Sequence, residues 1–207
     1  MSLDNNLESK YDDPYQVPIM VANEKNLKGY GTIVTDFEKE KVEIAPWPVS
    51  GKRKLHPGTG SLGGTRSGEF ICKWEGDACQ AINKGVDDTV YITGRLPTGI
   101  QIQNRTHLLV REANYHPDGG QVFFPRDKDP FIALLALPGD DVKPEDFVAF
   151  YFDGSFGIQM YTHIWHQAVI PINDRSVFLT KQAASYACVD VDTIDEFGKY
   201  LSVPLKL

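Results

Sequence analysis

Hydrophobic and polar positions alternate along many short segments of the chain. In residues 69–75 (EFICKWE), Phe70, Cys72 and Trp74 share one face. Such alternation predicts half-buried β-strands. Segments rich in β-branched and aromatic residues predict further strands at 30–35, 42–45, 89–95, 107–112, 121–124, 131–137, 147–152, 165–170, 177–180 and 186–191.

The spacing of these segments indicates the fold class. Strand segments recur about every 8–12 residues with turn signals between them, such as Asp118-Gly119-Gly120 and Asp153-Gly154-Ser155, which is typical of a sandwich or barrel. Only two short helices are predicted. One is capped by Asn23 and runs to Lys28, before Gly29. The other is C-terminal: Thr193 to Glu196 matches a capping box, with Ile194, Phe197 and Leu201 at helical spacing.

The organisation of the chain is that of one domain. Residues 1–15 are polar and predict a flexible tail, and residues 16–207 contain no linker that would divide them. The stretch 46–68 is rich in Gly, Pro, Lys and Arg and is either a functional loop or an embellishment of the domain, because structureless loops of this length are uncommon in compact domains.

Composition narrows the function classes. Of 207 residues, 24% are charged and 42% hydrophobic, which excludes disorder as a description of the whole chain. A net charge of −7 argues against a nucleic-acid partner, since affinity for phosphates comes from Lys and Arg.

The longest apolar run, 131–137, is far short of a membrane span, and the polar start does not resemble a signal peptide. Three cysteines predict neither a disulfide framework nor a zinc module. We therefore expect a soluble cytoplasmic protein with no membrane or nucleic-acid partner.

Histidines are the main candidates for chemistry. His116 precedes a glycine turn that leads into a strand, and His163 and His166 lie close together in GIQMYTHIWHQAV. On an extended strand His163 and His166 face opposite ways, because they are an odd number of residues apart. They are poor joint ligands of one metal, and His116 with one of them is the better pair. The alternative is structural: a turn residue at His116 and a hydrogen-bonded strand residue at His166.

Three motifs between Tyr115 and Val191 resemble the ureidoglycolate lyase family of allantoin catabolism. They are His116-Pro117-Asp118-Gly119-Gly120-Gln121-Val122-Phe123-Phe124-Pro125, Gly157 followed by Trp165-His166, and Phe178-Leu179-Thr180. A weaker match is Tyr30-Gly31 followed by Ile33-Val34. The resemblance covers somewhat less than half of the chain.

The resemblance implies a cupin-like fold, an all-β, double-stranded β-helix barrel, in a protein that is usually a homodimer. On this basis residues 111–207 form the family core and residues 16–110 an N-terminal β extension. Two positions depart from the pattern of relatives. Tyr161 stands where a histidine is often found, and Gln121 stands where a metal-binding cupin more often carries glutamate.

The implied reaction is cleavage of ureidoglycolate, an anionic hemiaminal, to glyoxylate and urea. It needs a base for the hydroxyl proton and an acid for the departing nitrogen, and histidine suits both. We assign these roles to His166 and His116. Candidates for substrate binding are Lys181, Arg111 or Arg175 for the carboxylate, Gln121, Asn114 and Asn83 for the urea moiety, and Tyr161.

Two other functions stay open. One is a metal-dependent cupin enzyme, an isomerase or dioxygenase acting on another small acid, with a possible divalent metal held by His116, Gln121 and His166. The other is a non-catalytic cupin that binds a small molecule, in which His116 and His166 would face packed apolar surroundings.

Overall fold

The computed structural model describes residues 13–45, 53–56, 60, 63–86 and 88–207. Most of these residues lie in or between strands, and the α-helix found among them is short and C-terminal. The prediction of an all-β, cupin-like fold with few helices is therefore confirmed. The described strands are β1 (Tyr15–Gln16), β2 (Ile19–Val21), β3 (Gly31–Val34), β4 (Thr65–Glu75), β5 (Ala78–Asn83), β6 (Val90–Arg95), β7 (His107–Val110), β8 (Glu112–Tyr115), β9 (Gln121–Pro125), β10 (Phe131–Ala136), β11 (Val148–Phe152), β12 (Gly157–Met160), β13 (Trp165–His166), β14 (Ile170–Pro171), β15 (Arg175–Ala183), β16 (Val189–Asp192) and β17 (Leu201–Pro204).

The strands form two sheets. One has ten strands in the order β1-β17-β7-β6-β5-β4-β15-β9-β12-β3, and the other has seven, with the order β16-β8-β13-β10-β11-β2 and β14 paired with β10. The longest ladder joins β4 to β15, from Thr65 opposite Ala183 to Lys73 opposite Arg175. Because β4 comes from the first half of the chain and β15 from the second, both halves build the same sheet.

Strand β10 of the seven-stranded sheet is buried on both faces. In β10, Phe131, Ala133 and Leu135 enter one hydrophobic cluster, while Ile132, Leu134 and Ala136 enter the other. A strand buried on both faces needs a continuous apolar sequence, and this explains the run 131–137. The ten-stranded sheet covers both faces, since β4 contributes Phe70 to the first cluster and β7 contributes Leu108 to the second. We call the first cluster the barrel interior.

The C-terminal helix α1 spans Thr193–Phe197 and is shorter than the sequence pattern suggests. Asp192 caps it in place of Thr193, because the Asp192 side chain accepts from the N–H groups of Ile194 and Asp195. Gly198 ends the helix at φ +68°, a left-handed conformation that favours glycine. Leu201, predicted to continue the helical stripe, instead begins β17.

Some other local predictions are wrong or fall outside the described residues. Residues 23–28 form turns with one helical hydrogen bond, from Leu27 N–H to Asn23 O. The segment 42–45 makes a single bridge, Ile44 to Gly119, and the strand predicted at 165–170 is interrupted at Gln167, whose side chain bonds the backbone of Glu112 and Ala168. Residues 1–12 of the predicted tail and 46–52, 57–59 and 61–62 of the stretch 46–68 lie outside the described part of the chain.

Three short 3-10 helices complete the described elements: Phe37–Lys39, Ile102–Asn104 and Pro144–Asp146. Within the described ranges, no helix has both the length and the apolar character needed to cross a membrane.

Candidate functional site

His116 and His166 lie side by side at one end of the barrel interior. In β13, Trp165 packs into the second cluster, so that the next residue, His166, faces the barrel interior. His116 follows directly after β8, which pairs with β13. The two ring centroids are 4.9 Å apart with an interplanar angle of 63°, and each residue is only 4% exposed.

Backbone carbonyls fix the tautomer of both rings. His116 Nδ1 lies 2.8 Å from Ala187 O, and His166 Nδ1 lies 2.7 Å from Ile164 O. A carbonyl oxygen only accepts, so both Nδ1 atoms carry the proton. Each neutral ring therefore keeps a lone pair on Nε2. His116 Nε2 is buried without a hydrogen-bond partner, and His166 Nε2 lies 3.2 Å from Gln121 Oε1.

Burial keeps both rings neutral near pH 7. It lowers the pKa of His166 to about 3, with a further contribution from the charge that His116 would carry. It also lowers the pKa of His116, although the Ala187 carbonyl, the Asp118 carboxylate and the Gln121 side chain oppose that shift. Both histidines are thus available as proton acceptors.

A chain of amide hydrogen bonds continues from Gln121 into the neighbouring strands. Gln121 Nε2 donates to Gln182 Oε1 at 3.0 Å, and Asn83 Nδ2 donates to the same oxygen at 3.2 Å. Asn83 Oδ1 in turn accepts from Gly85 N–H at 3.0 Å. Gln121 and Gln182 are 1% exposed and Asn83 is fully buried. The network leaves three acceptor atoms together: His116 Nε2, His166 Nε2 and Gln121 Oε1.

Asp118 binds the backbone of Ala187, the residue whose carbonyl orients His116. Its Oδ1 accepts from Ala187 N–H at 3.2 Å, while the carbonyl of the same residue accepts from His116. Burial raises the pKa of Asp118, and its Oδ2 has no partner. The ring of Tyr186 lies over His116 at a centroid distance of 4.4 Å. The predicted turn Asp118-Gly119-Gly120 therefore also holds His116 in place, through the contact between Asp118 and Ala187.

Asn114 is the other predicted binding residue that the fold brings to the histidines. It lies directly opposite His166 in the β8–β13 register, on the same face of the sheet. Its Oδ1 is buried and has no partner. It is therefore a further buried acceptor next to the histidine pair.

The remaining predicted residues lie elsewhere. Lys181 Nζ contacts the carbonyl oxygens of Phe37, Glu38 and Glu40, at the end of a 3-10 helix. Arg111 pairs with Asp192 at 2.8 Å and is half exposed. Tyr161 is 42% exposed.

The side chains of His163 and Arg175 do not join the pair. The His163 ring packs on Tyr115 at a centroid distance of 5.5 Å, while its backbone N–H donates to the carbonyl of His116 at 3.1 Å. His163 lies in a turn at φ +68°, so the alternation predicted for an extended strand does not apply to it. Arg175 is exposed at the start of β15.

Arg66 is a cation that the sequence reasoning missed. It lies opposite Gln182 in the β4–β15 register, so its side chain starts on the barrel-interior face, and it donates from Nη1 to Val86 O at 3.3 Å. The sequence pattern could have identified it. Phe70, Cys72 and Trp74 alternate along β4, and continuing the same alternation towards the N-terminus places Arg66 on their face.

The residues present do not make a conventional site for a divalent metal. The pinned Nδ1 atoms suit imidazole ligands, whose free Nε2 would bind the ion. The third candidate ligand, Gln121 Oε1, is a neutral amide oxygen, whereas catalytic zinc sites, for example, use three protein ligands drawn from His, Cys and carboxylates. Over the described ranges, no group of three or more such side chains comes together. We derive no chemical step through a metal.

The fold and this site define a cupin-like protein with a buried pair of neutral histidines. Comparison with known proteins gives its relationship: residues 98–197 match the model of the ureidoglycolate lyase family. A ureidoglycolate lyase of Azotobacter vinelandii is 35% identical over 72 residues, which are 35% of this chain and 43% of the relative. One of Salmonella enteritidis is 33% identical over 89 residues, 42% of this chain and 54% of the relative.

The chain spans about half the length of the curated relatives that it matches. Residues 98–197 are thus similar to the ureidoglycolate lyase family, and this similarity confirms the resemblance found in the sequence motifs. His116, Gln121 and His166 lie inside the matched region, whereas Arg66 and Asn83 lie outside it.

Proposed function

We propose that the protein is a ureidoglycolate lyase that releases glyoxylate and urea from ureidoglycolate. The observation that carries the proposal is the pair of buried, neutral histidines whose Nε2 lone pairs face the Gln121 amide. In ureidoglycolate one carbon bears a hydroxyl group, a carboxylate and the ureido nitrogen. Its cleavage moves one proton from the hydroxyl oxygen to that nitrogen, and a neutral imidazole is suited to carry it.

His166 is the proton carrier in this mechanism. Its Nε2 takes the hydroxyl proton, the C–O bond becomes the carbonyl of glyoxylate, and the C–N bond breaks with its electron pair passing to nitrogen. The same Nε2 then returns the proton to that nitrogen, which completes urea. Gln121 Oε1, 3.2 Å from Nε2, accepts a hydrogen bond from the imidazolium that forms between the two steps.

The substrate itself increases the basicity of His166. In the free protein, burial holds the pKa of this ring at about 3. A substrate carboxylate enclosed next to the ring favours its protonated form and raises the pKa towards the working range. Proton transfer is thereby coupled to the presence of the anionic substrate.

The polar atoms around the histidines match a ureido group. His116 Nε2 and Asn114 Oδ1 are buried acceptors without partners, suited to the ureido N–H groups. Gln182 Nε2 is a buried donor without a partner, suited to the ureido carbonyl. The unpaired atoms therefore favour a ligand that offers several donors and one acceptor.

Arg66 is the proposed anchor for the substrate carboxylate. It lies opposite Gln182 on the barrel-interior face, and a guanidinium grips a carboxylate with two parallel hydrogen bonds. Lys181 and Arg111, the cations first considered, are engaged with backbone carbonyls and with Asp192 respectively.

The experiment is release of glyoxylate from racemic ureidoglycolate by the purified protein, measured against spontaneous breakdown. A rate well above the background supports the lyase. A rate equal to the background, with folded protein supplied with divalent metals, would remove the assignment.

A metal-dependent cupin reaction is the second candidate, and the unpaired Nε2 of His116 beside that of His166 favours it. The neutral third ligand disfavours it. Metal analysis of the purified protein decides between the two: a stoichiometric divalent ion lost in the His116→Gln and His166→Gln variants supports the metal enzyme. A purely structural role of the histidines in a non-catalytic binding protein is disfavoured, because they face a polar network.

We further propose a cytoplasmic homodimer that acts in allantoin breakdown. The three cysteines are buried and form no disulfide with one another, which is usual in a reducing compartment. Strand β3 ends the ten-stranded sheet, and pairing with a second copy is one way to cover such an edge. Light scattering in solution tests the dimer, and a monomeric mass would contradict it.

A further inference from the structure

The orientation of the Gln121 amide is set by residues far from it in sequence. An amide can present either its oxygen or its nitrogen to His166, and the two choices have opposite consequences. An oxygen favours the protonated ring. A nitrogen donates to the Nε2 lone pair and occupies the atom that must accept the proton.

The hydrogen-bond chain fixes this choice from its far end. Gly85 N–H can only donate, so Asn83 presents Oδ1 to it and Nδ2 to Gln182. One position of the Gln182 amide then receives Asn83 Nδ2 as a donor at 3.2 Å. That position must hold its oxygen.

The orientation of Gln121 follows. With Nε2 directed at the Gln182 oxygen, its Oε1 faces His166 Nε2. This arrangement leaves Gln182 Nε2 buried and unpaired, and leaves Oε1 next to a lone pair while His166 is neutral. The contact between Gln121 Oε1 and His166 Nε2 is thus unfavourable with the ring neutral and becomes a hydrogen bond when His166 gains a proton, whereas Gln182 Nε2 stays unpaired.

We propose that Asn83 is a positioning residue that fixes the Gln121 amide with its oxygen towards His166, and so keeps His166 Nε2 free to accept the substrate proton. Asn83 lies in β5, outside the region that matches the lyase family, so the first half of the chain completes the site. The inference deepens the proposed function and rests on it for its catalytic consequence. The orientation of the amide can be measured independently.

Other charged groups around His166 do not depend on Asn83. The described titratable groups near the pair include Asp118 after β8, Tyr186, whose ring packs on His116, and Asp190 on β16, and Arg66 on β4 is the nearby cation by register. None of them is hydrogen-bonded to Asn83. A change in the titration of His166 on replacing Asn83 therefore reports on the amide chain.

The first test replaces Asn83 by leucine, which keeps its size and removes both of its hydrogen bonds. The matched control is Gln167→Leu, which also removes two buried side-chain hydrogen bonds but lies outside the amide chain. With the amides free to turn, we expect kcat to fall about tenfold or more and the acid limb of the kcat–pH profile to move to lower pH. Gln167→Leu should leave the position of that limb unchanged.

A second variant tests the same chain through rescue. In Gln121→Glu the side chain has no N–H, so neither orientation blocks His166. In this background Asn83→Leu should change kcat less than twofold. An equal loss in both backgrounds would overturn the proposal, because Asn83 would then act only through general stability.

A direct readout separates this inference from the lyase assignment. The 15N resonance of His166 Nε2 at pH 7 should move in Asn83→Leu, where an N–H now meets its lone pair, and stay in place in Gln167→Leu. That result supports the amide orientation even if no glyoxylate is released. An unchanged resonance in folded Asn83→Leu would overturn it. If that variant does not fold, Gln182→Met breaks the chain at the next residue, with the same expected shift.

Discussion

The rings of His116 and His166 meet edge to face, 4.9 Å apart, and each is tied through Nδ1 to a backbone carbonyl. Neither ring can turn or change tautomer without breaking that bond. The pair therefore presents two fixed nitrogen lone pairs in a buried space, and a charge on one ring disfavours a charge on the other. The pair is therefore suited to binding and transferring one proton at a time.

The stability of the protein should depend on pH through these rings. Their pKa values are lowered in the folded state, so the unfolded chain, with histidine near its ordinary pKa, binds more protons at mildly acidic pH. Stability is fully present above about pH 6.5 and falls towards lower pH, by up to roughly 1.4 kcal/mol per pH unit for His166, and the lowered pKa of His116 adds to this loss. Urea unfolding between pH 7 and pH 4.5 measures this slope.

Asp118 contributes in the opposite direction. Its pKa is raised in the folded state, so its protonation favours folding at low pH, where it reduces the loss caused by the histidines. The variant His166→Gln should have a smaller slope than the wild type above pH 4.5. His107→Gln, which changes a partly exposed histidine, is the control. Equal slopes in both variants would show that His166 is not buried neutral.

Lys181 should be a structural residue. Lys181→Met removes charged contacts to three backbone carbonyls, and we expect a loss of about 1–3 kcal/mol in the free energy of unfolding. KM for ureidoglycolate should stay within twofold. Lys25→Met, at an exposed position, should change neither quantity. A large rise in KM with unchanged stability would place Lys181 in the binding site after all.

Arg66 should determine binding of the carboxylate. Arg66→Ala should raise KM about tenfold or more with a smaller effect on kcat, and Arg66→Lys should recover part of the loss, since lysine lacks the bidentate grip. Inhibition by glyoxylate should weaken in parallel, while inhibition by urea should not. Arg126→Ala is the control, because Arg126 pairs with Glu69 and Asp127 at the surface. Unchanged KM in Arg66→Ala would exclude this anchor.

The sequence predicted much of the fold and the centre of the site. Strand alternation and turn signals predicted the all-β class, and the His-Pro-x-Gly-x-Gln and Trp-His motifs predicted the pair His116 and His166. Local patterns suffice for the fold class, because side-chain alternation and turn chemistry are local properties, whereas the choice of His166 over His163 came from the resemblance to the lyase family. The break at Gln167 was missed because the side chain of that residue bonds the backbone of a neighbouring strand.

The rest of the site depends on strand pairing. Arg66 and Gln182 come together only through the β4–β15 register, and Asn83 reaches Gln182 from the next strand. The local sequence does not determine which strands pair with one another. Lys181 was proposed for its charge, but the alternation of β15 directs its side chain away from that of Gln182.

The most direct test of the central claim measures glyoxylate release from ureidoglycolate by the wild type, His166→Gln and His116→Gln, with folding checked by circular dichroism and urea unfolding at pH 7. We expect wild-type activity well above the spontaneous rate. His166→Gln should lose about 10²–10⁴-fold in kcat, as expected for a residue that transfers a proton. Folded His166→Gln that retains wild-type kcat would contradict the mechanism.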